Sequence, residues 1–162
     1  MEDFESKALN SSQLLPKLWK RYVDDTNVIW SHGQDELDLF FDHLNRQSSA
    51  IKFTKEQEVD GCLPFLDILI SKNGDGSLSH RVFRKKTHME QYLHASSHHF
   101  PTKKLGVFNT LATRALRISD EKSFEEEKSY LLNVFVENGY SRYMGQKAFI
   151  KAARNSLTKR EL

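Results

Sequence analysis

The chain has 162 residues, 38% of them hydrophobic and 28% charged, with a formal net charge of +2. That length carries one domain of ordinary size or two small lobes with a core. Cys62 stands alone, which excludes a disulfide framework and a thiolate metal site. No run is apolar enough for a membrane span or a signal-peptide core, so the composition reads as a soluble intracellular protein in a reducing compartment.

Residues 2 to 9 form the first predicted helix, and Asn10-Ser11-Ser12-Gln13 is a polar connection. Leu14 to Lys20 lead into the stretch Arg21-Tyr22-Val23-Asp24-Asp25-Thr26-Asn27-Val28-Ile29-Trp30. An aromatic-apolar pair before the two acids and a β-branched run after them predict two short strands joined by a tight turn. Asp24 and Asp25 sit at its tip, with Trp19 and Tyr22 packed beneath. Side chains alternate across a strand, so adjacent carboxylates converge only where the backbone turns. Such a tip is either a plain hairpin turn or a seat for Mg²⁺, which takes few protein carboxylates and keeps its waters. Ser31-His32-Gly33 breaks the strand.

From Asp35, Leu37, Phe40, Phe41 and Leu44 recur at helical spacing, with Asp35 and Asp38 near the positive end of the helix dipole. Ile51 and Phe53 alternate with Lys52 and Thr54, which predicts a strand with one wet face. Asp60-Gly61 is a turn, and Leu63 to Ser71 read as one strongly apolar strand. Asn73-Gly74-Asp75-Gly76 closes that strand into a hairpin with Ser77 to Arg84. Asp67, set inside the apolar run, is expected to be a hydrogen-bonding hub or to face a site.

Residues 85 to 100 are a connector rich in cations, aromatics and histidines. Arg84, Lys85 and Lys86 can neutralise phosphates, and Tyr92 and the histidines can bond to or stack on a nucleic-acid strand. His88, His94, His98 and His99 lack the cysteines and spacing of a zinc finger. After Pro101, Leu105, Phe108, Leu111, Ala112, Ala115 and Ile118 form one apolar stripe, with Lys103, Lys104, Arg114 and Arg117 off it. Ser119 or Asp120 caps a second helix ending at Asn138-Gly139, and Ser141 caps a third running to about Arg154. Residues 101 to 155 therefore make a small, helix-turn-helix-like bundle, and 156 to 162 a frayed tail.

Charge is unevenly placed. Between Lys72 and Arg117 lie nine basic residues and two acids, Asp75 and Glu90, a local balance of +7, with five of the seven histidines. This is either the footprint of a phosphate-binding surface or a solvated face whose acidic partners lie elsewhere, at Glu125, Glu126 and Glu127.

Tyr22-Val23-Asp24-Asp25 with the apolar strand after it resembles the active-site motif of reverse transcriptases. Leu63 to Ile70, Phe83 to His88, Gln91 to His94 and Ser97-His98-His99 are similar to later blocks of Penelope-like retroelement reverse transcriptases. The resemblance runs to near residue 155. It implies an α+β chain: a partial polymerase palm over residues 1–84, then a connector over 85–100 and a thumb over 101–155. It further implies Asp24 and Asp25 as metal ligands and, with Tyr22, as catalytic residues, with Mg²⁺ or Mn²⁺ in the intact enzyme and none held tightly by this piece. Lys52 or Lys55 is either a general acid or, as a strand lysine more often is, simply solvent-facing, and Arg84, Lys85, Lys86, Tyr92, Lys103, Lys104 and Arg114 are implied as contacts to an RNA/DNA hybrid or duplex. Lys86 stands where the family has proline. The fingers and the first catalytic Asp are expected outside these residues, on another chain or lost, so that the chain binds nucleic acid, in the nucleus, without catalysing alone. The reading that needs no polymerase is a non-catalytic nucleic-acid-binding remnant.

Overall fold

The computed structural model describes residues 1–158, and among these the chain is α+β, with five helices and two small antiparallel sheets. It divides into two compact units, Met1–Glu58 and the chain from Val59 onward.

In the first unit, α1 (Glu2–Asn10) is followed by the hairpin of β1 (Leu18–Tyr22) and β2 (Asp25–Ile29), then by α2 (Gln34–Arg46). The strands pair from Leu18 opposite Ile29 to Tyr22 opposite Asp25, so Val23 and Asp24 form a two-residue loop. Ala8, Phe40 and Leu44 are buried, and Phe4, Leu9, Trp19, Trp30 and Phe53 pack around them. Trp30 stacks on Phe40 with centroids 4.9 Å apart, Trp19 meets the same ring edge-on, and Phe4 stacks on Phe53. Glu5 ties α1 to β1 by accepting from Arg21 Nε at 2.7 Å and Trp19 Nε1 at 3.2 Å.

Two expectations fail here. Tyr22 is 62% exposed rather than packed beneath the hairpin, because it is the last residue of β1, beside the exposed loop. Residues 51–54 form no strand: the Phe53 amide donates to the Asn45 side chain at 2.7 Å, and no ladder partner takes its place. Phe53 keeps its apolar role without strand geometry.

In the second unit, β3 (Cys62–Phe65), β4 (Ile68–Lys72) and β5 (Leu78–Val82) form a three-stranded meander. Asp60 and Gly61, both at positive φ, turn the chain between the bridged residues Val59 and Cys62, as a tight hairpin turn requires. The apolar run from Leu63 to Ser71 is not one strand. It folds back on itself at Leu66-Asp67, with Phe65 opposite Ile68 and Leu66 at φ 54°. An unbroken apolar run carries no sign of the turn, since both arms are apolar. The Asn73 to Ser77 loop then returns the chain to β5 as expected.

The bundle comprises α3 (Pro101–Ile118), α4 (Glu121–Glu137) and α5 (Arg142–Thr158), the last helix passing the predicted end at Arg154. The tail beyond Thr158 lies outside the described residues. Asp120 is the N-cap of α4, accepting from Ser123 N at 2.8 Å. Phe108 and Phe135 are buried edge-to-face at 4.1 Å, and Tyr140 meets Phe108 at 4.3 Å. Ala112 and Ala115 of α3 and Ala148 and Ala152 of α5 are buried in the same cluster, small side chains that let helices approach closely.

The sheet belongs with these helices. Asp120 N donates to His80 O at 2.9 Å, His80 N to Asp120 Oδ2 at 3.1 Å, and His80 Nδ1 to Ile118 O at 2.6 Å. A carbonyl only accepts, so Nδ1 carries the proton. Arg114 bridges to Asp67 at 3.1 Å, and the Asp67 carbonyl accepts from Phe83 N at 2.7 Å. Asp67 therefore makes one ion pair and one backbone hydrogen bond, and its side chain lies largely in solvent at the turn rather than inside the apolar run.

Candidate nucleic-acid interface

Asp24 lies in the two-residue loop of the first hairpin and Asp25 is the first residue of β2, so the turn sits one residue earlier than expected, with both acids exposed. Val23 beside them has φ 54°, a left-handed conformation that β-branched side chains adopt only at a cost of roughly 1–3 kcal/mol. Arg21 Nη1 donates to its carbonyl at 3.1 Å and helps hold the turn. Among the described residues no third His, Cys, Asp or Glu gathers with the two acids. Two exposed carboxylates do not by themselves make a Mg²⁺ site. Of the two lysines considered as a general acid, Lys52 donates to Asn45 O at 2.9 Å and Lys55 is ion-paired with Asp38.

The basic residues fall into two groups. Arg84 makes a two-pronged ion pair with Glu127, and its guanidinium lies 4.2 Å from the centroid of the Tyr130 ring. Burial lowers its pKa, but the Glu127 hydrogen bond and charge outweigh that and the net shift is upward. Arg114 is held by Asp67 and Phe83 O, and Lys104 donates to Ala95 O at 2.6 Å. Their first role is architectural. The side chains of Lys85, Lys86 and Lys103 are exposed and make no hydrogen bond or ion pair among the described residues. On α5, Lys147 lies over the exposed Tyr143 ring at 4.6 Å, and Lys151 is exposed one turn further on.

Sequence reading missed the fastening of the connector. Asn138, 8% exposed, accepts from Tyr92 N at 2.9 Å and donates to Glu90 O at 2.9 Å and Val134 O at 2.8 Å, while its own carbonyl accepts from Ala95 N. Tyr140 Oη donates to Leu93 O at 2.5 Å, and Tyr130 Oη to Glu90. Burial, then the Glu90 hydrogen bond, raise the Tyr130 pKa. Burial likewise raises that of Tyr92, whose hydroxyl lies 3.3 Å from His88 Nε2. Tyr92 is thus part of the fastening, half-buried. His94 Nδ1 accepts from Ser96, while among the described residues His98 and His99 are exposed without a side-chain partner and no three histidines converge. The sequence signal at Asn138-Gly139 was a helix stop, and nothing local marks the Asn side chain as the anchor of a segment more than forty residues earlier.

The helices differ sharply in charge. α3 carries Lys103, Lys104, Arg114 and Arg117 and no acid, and α5 carries Arg142, Lys147, Lys151 and Arg154 and no acid. Between them in sequence, α4 carries five glutamates against two lysines.

Residues 91–150, the connector from Gln91 through α3 and α4 into α5, match the family model of the animal helix-turn-helix domain. No curated protein and no solved structure matches the chain. No helix among the described residues is long and apolar enough to cross a membrane.

Proposed function

We propose that the chain from Val59 onward is a nucleic-acid-binding module that grips the phosphate backbone with lysines of α5, of the start of α3 and of the connector at Lys85 and Lys86. The carrying observation is that the segment matching a helix-turn-helix domain contains two helices with cations and no acids, packed against each other. Helix-turn-helix modules set basic helices against a duplex, and lysines against phosphates release counterions on binding. Arg84, Arg114 and Lys104 position the contact surface, and Lys85, Lys86, Lys103, Lys147 and Lys151 are the contacts. Fluorescence anisotropy on a labelled DNA duplex across a salt series tests this. Affinity should fall steeply with salt, and Lys147→Gln with Lys151→Gln should flatten the log–log slope by about 2, near one per lost phosphate contact. Salt-insensitive binding, or none by a folded chain, would refute it.

A second reading, that residues 1–84 are part of a retroelement polymerase palm, is favoured by one observation. The Asp-Asp pair is displayed at the tip of a two-residue hairpin whose Val23 is in a costly conformation, and such conformations concentrate at functional sites. On this reading a partner chain completes the site. The chain alone should incorporate no nucleotide on a primed RNA template; incorporation with Mg²⁺ that Asp24→Asn abolishes would show that the pair suffices.

A further inference from the structure

Phe100 is 79% exposed, the most exposed large hydrophobic side chain among the described residues. Its backbone is not loose. Pro101 follows and restricts Phe100 to extended geometry, observed at φ −52°, ψ 140°. Its carbonyl accepts from Lys103 N at 2.9 Å and Lys104 N at 3.3 Å. The preceding loop is moored at its start, where Ala95 O accepts from Lys104 Nζ and Ala95 N donates to Asn138 O, and is closed there by Ser97 N on His94 O. A large ring is therefore held in solvent from a fixed main chain.

Its neighbours are polar or aromatic. His98 and His99 are exposed, with no hydrogen bond or ring partner among the described residues, and Thr102 and Lys103 are exposed on the other side. From Gln91 to Ser119 the sequence holds no Asp or Glu. Aromatic side chains interleaved with unpaired cations are the combination by which proteins hold single strands: rings stack on bases, and cations meet the backbone. A ring carried on a fixed main chain has only its own two side-chain torsions to lose on binding. A protein partner would be better served by aliphatic neighbours than by imidazoles and a lysine.

We propose that His98, His99 and Phe100 form a stacking platform for unpaired nucleobases, so that the nucleic acid gripped here carries a single-stranded segment beside its duplex. The inference deepens the nucleic-acid-binding reading and rests on it. The platform discriminates strand from duplex, because a base inside a duplex is already stacked on its neighbours.

The test compares a blunt DNA duplex with the same duplex bearing a short oligothymidine overhang, by anisotropy with the full chain. The overhang should tighten binding by about tenfold or more, as expected for one to two stacked bases. Phe100→Ala, and His98→Ala with His99→Ala, should remove most of that gain and leave blunt-duplex affinity unchanged, while Phe100→Trp should retain it. Far-UV circular dichroism of each variant establishes folding. Equal affinity of the wild type for both probes overturns the platform and leaves duplex binding standing; no binding to either probe overturns both. A self-association of the chain that Phe100→Ala disperses, with overhang preference intact, would assign the ring to a protein contact and also overturn the proposal.

Discussion

Replacing Asn138 by Ala should destabilise the second unit by about 2–4 kcal/mol. The side chain makes three hydrogen bonds from a site only 8% exposed. One loss is small, since Val134 O still accepts from the Asn138 amide at 3.0 Å. The other two leave Tyr92 N and Glu90 O without partners, and an unsatisfied polar group costs roughly 1–3 kcal/mol where water does not reach it. The half-exposure of the connector keeps the sum nearer the lower figures. Asn138→Asp should be no milder: it keeps the acceptor for Tyr92 N, but loses both donations and places a negative charge at the C-terminus of α4, where the helix dipole is unfavourable. Urea unfolding followed by far-UV circular dichroism, dominated by α3, α4 and α5, measures the effect. Tryptophan fluorescence serves as internal reference, because Trp19 and Trp30 both lie in Met1–Glu58. Amide exchange at Tyr92 should accelerate in both variants. A loss below about 0.5 kcal/mol, or unchanged exchange at Tyr92, would refute the claim that Asn138 fastens the connector, since substitutions away from such features fall within that range.

Three further substitutions probe the packing and the turns. Gly145→Ala should cost about 1–3 kcal/mol, because its Cβ would stand 2.7 Å from Leu132 Cδ2 and 2.9 Å from Phe135 Cδ2 in the α4–α5 contact; urea unfolding showing no loss would mean the helices part freely. Val23→Asn should stabilise the first unit by up to about 1 kcal/mol by relieving the left-handed strain at φ 54°, read from the tryptophan unfolding transition, and a destabilisation would count against that strain. The Ser123 hydroxyl and amide, the largest influences on Asp120, hold its pKa down from 3.8 to about 2. A depressed carboxylate contributes its full stability above the unfolded pKa and loses it as pH falls through the folded one. Asp120→Ala should therefore cost about 1 kcal/mol at neutral pH and progressively less between about pH 4 and 2; a cost that stays constant through that window would exclude the cap.

The hairpins illustrate what was legible and what was not. Tyr22-Val23-Asp24-Asp25 between apolar strands was readable as a tight turn because acids flanked by β-formers break an apolar pattern. Leu66-Asp67 makes a similar two-residue turn, yet it read as mid-strand, because the apolar residues on either side continue without interruption. The stripe Phe108, Leu111, Ala112, Ala115 announced α3 by its period alone, and Asp120 announced the start of α4 by its chemistry. Among the candidate contacts, composition identified a basic region but not which cations are free. Arg84 and Lys85 are adjacent in sequence; one is locked to Glu127 and Tyr130, the other exposed. Glu127 had been visible only as one of three consecutive acids able to serve as partners.

The sequence by itself determined the helices, the turns marked by Gly, Asn or Asp breaking an apolar pattern, and the concentration of positive charge, since each depends on neighbours a few residues apart and on side-chain periodicity. Only the tertiary structure decided that β3–β5 belongs with the bundle, that Asn138 moors the connector, that Tyr92 is half-buried and that Phe100 is displayed. Those outcomes depend on contacts between segments about forty residues apart, where what matters is which groups must find a hydrogen-bond partner once water is excluded. No local pattern encodes that pairing, because the same Asn, Arg or Phe is equally compatible with solvent until another element arrives to cover it.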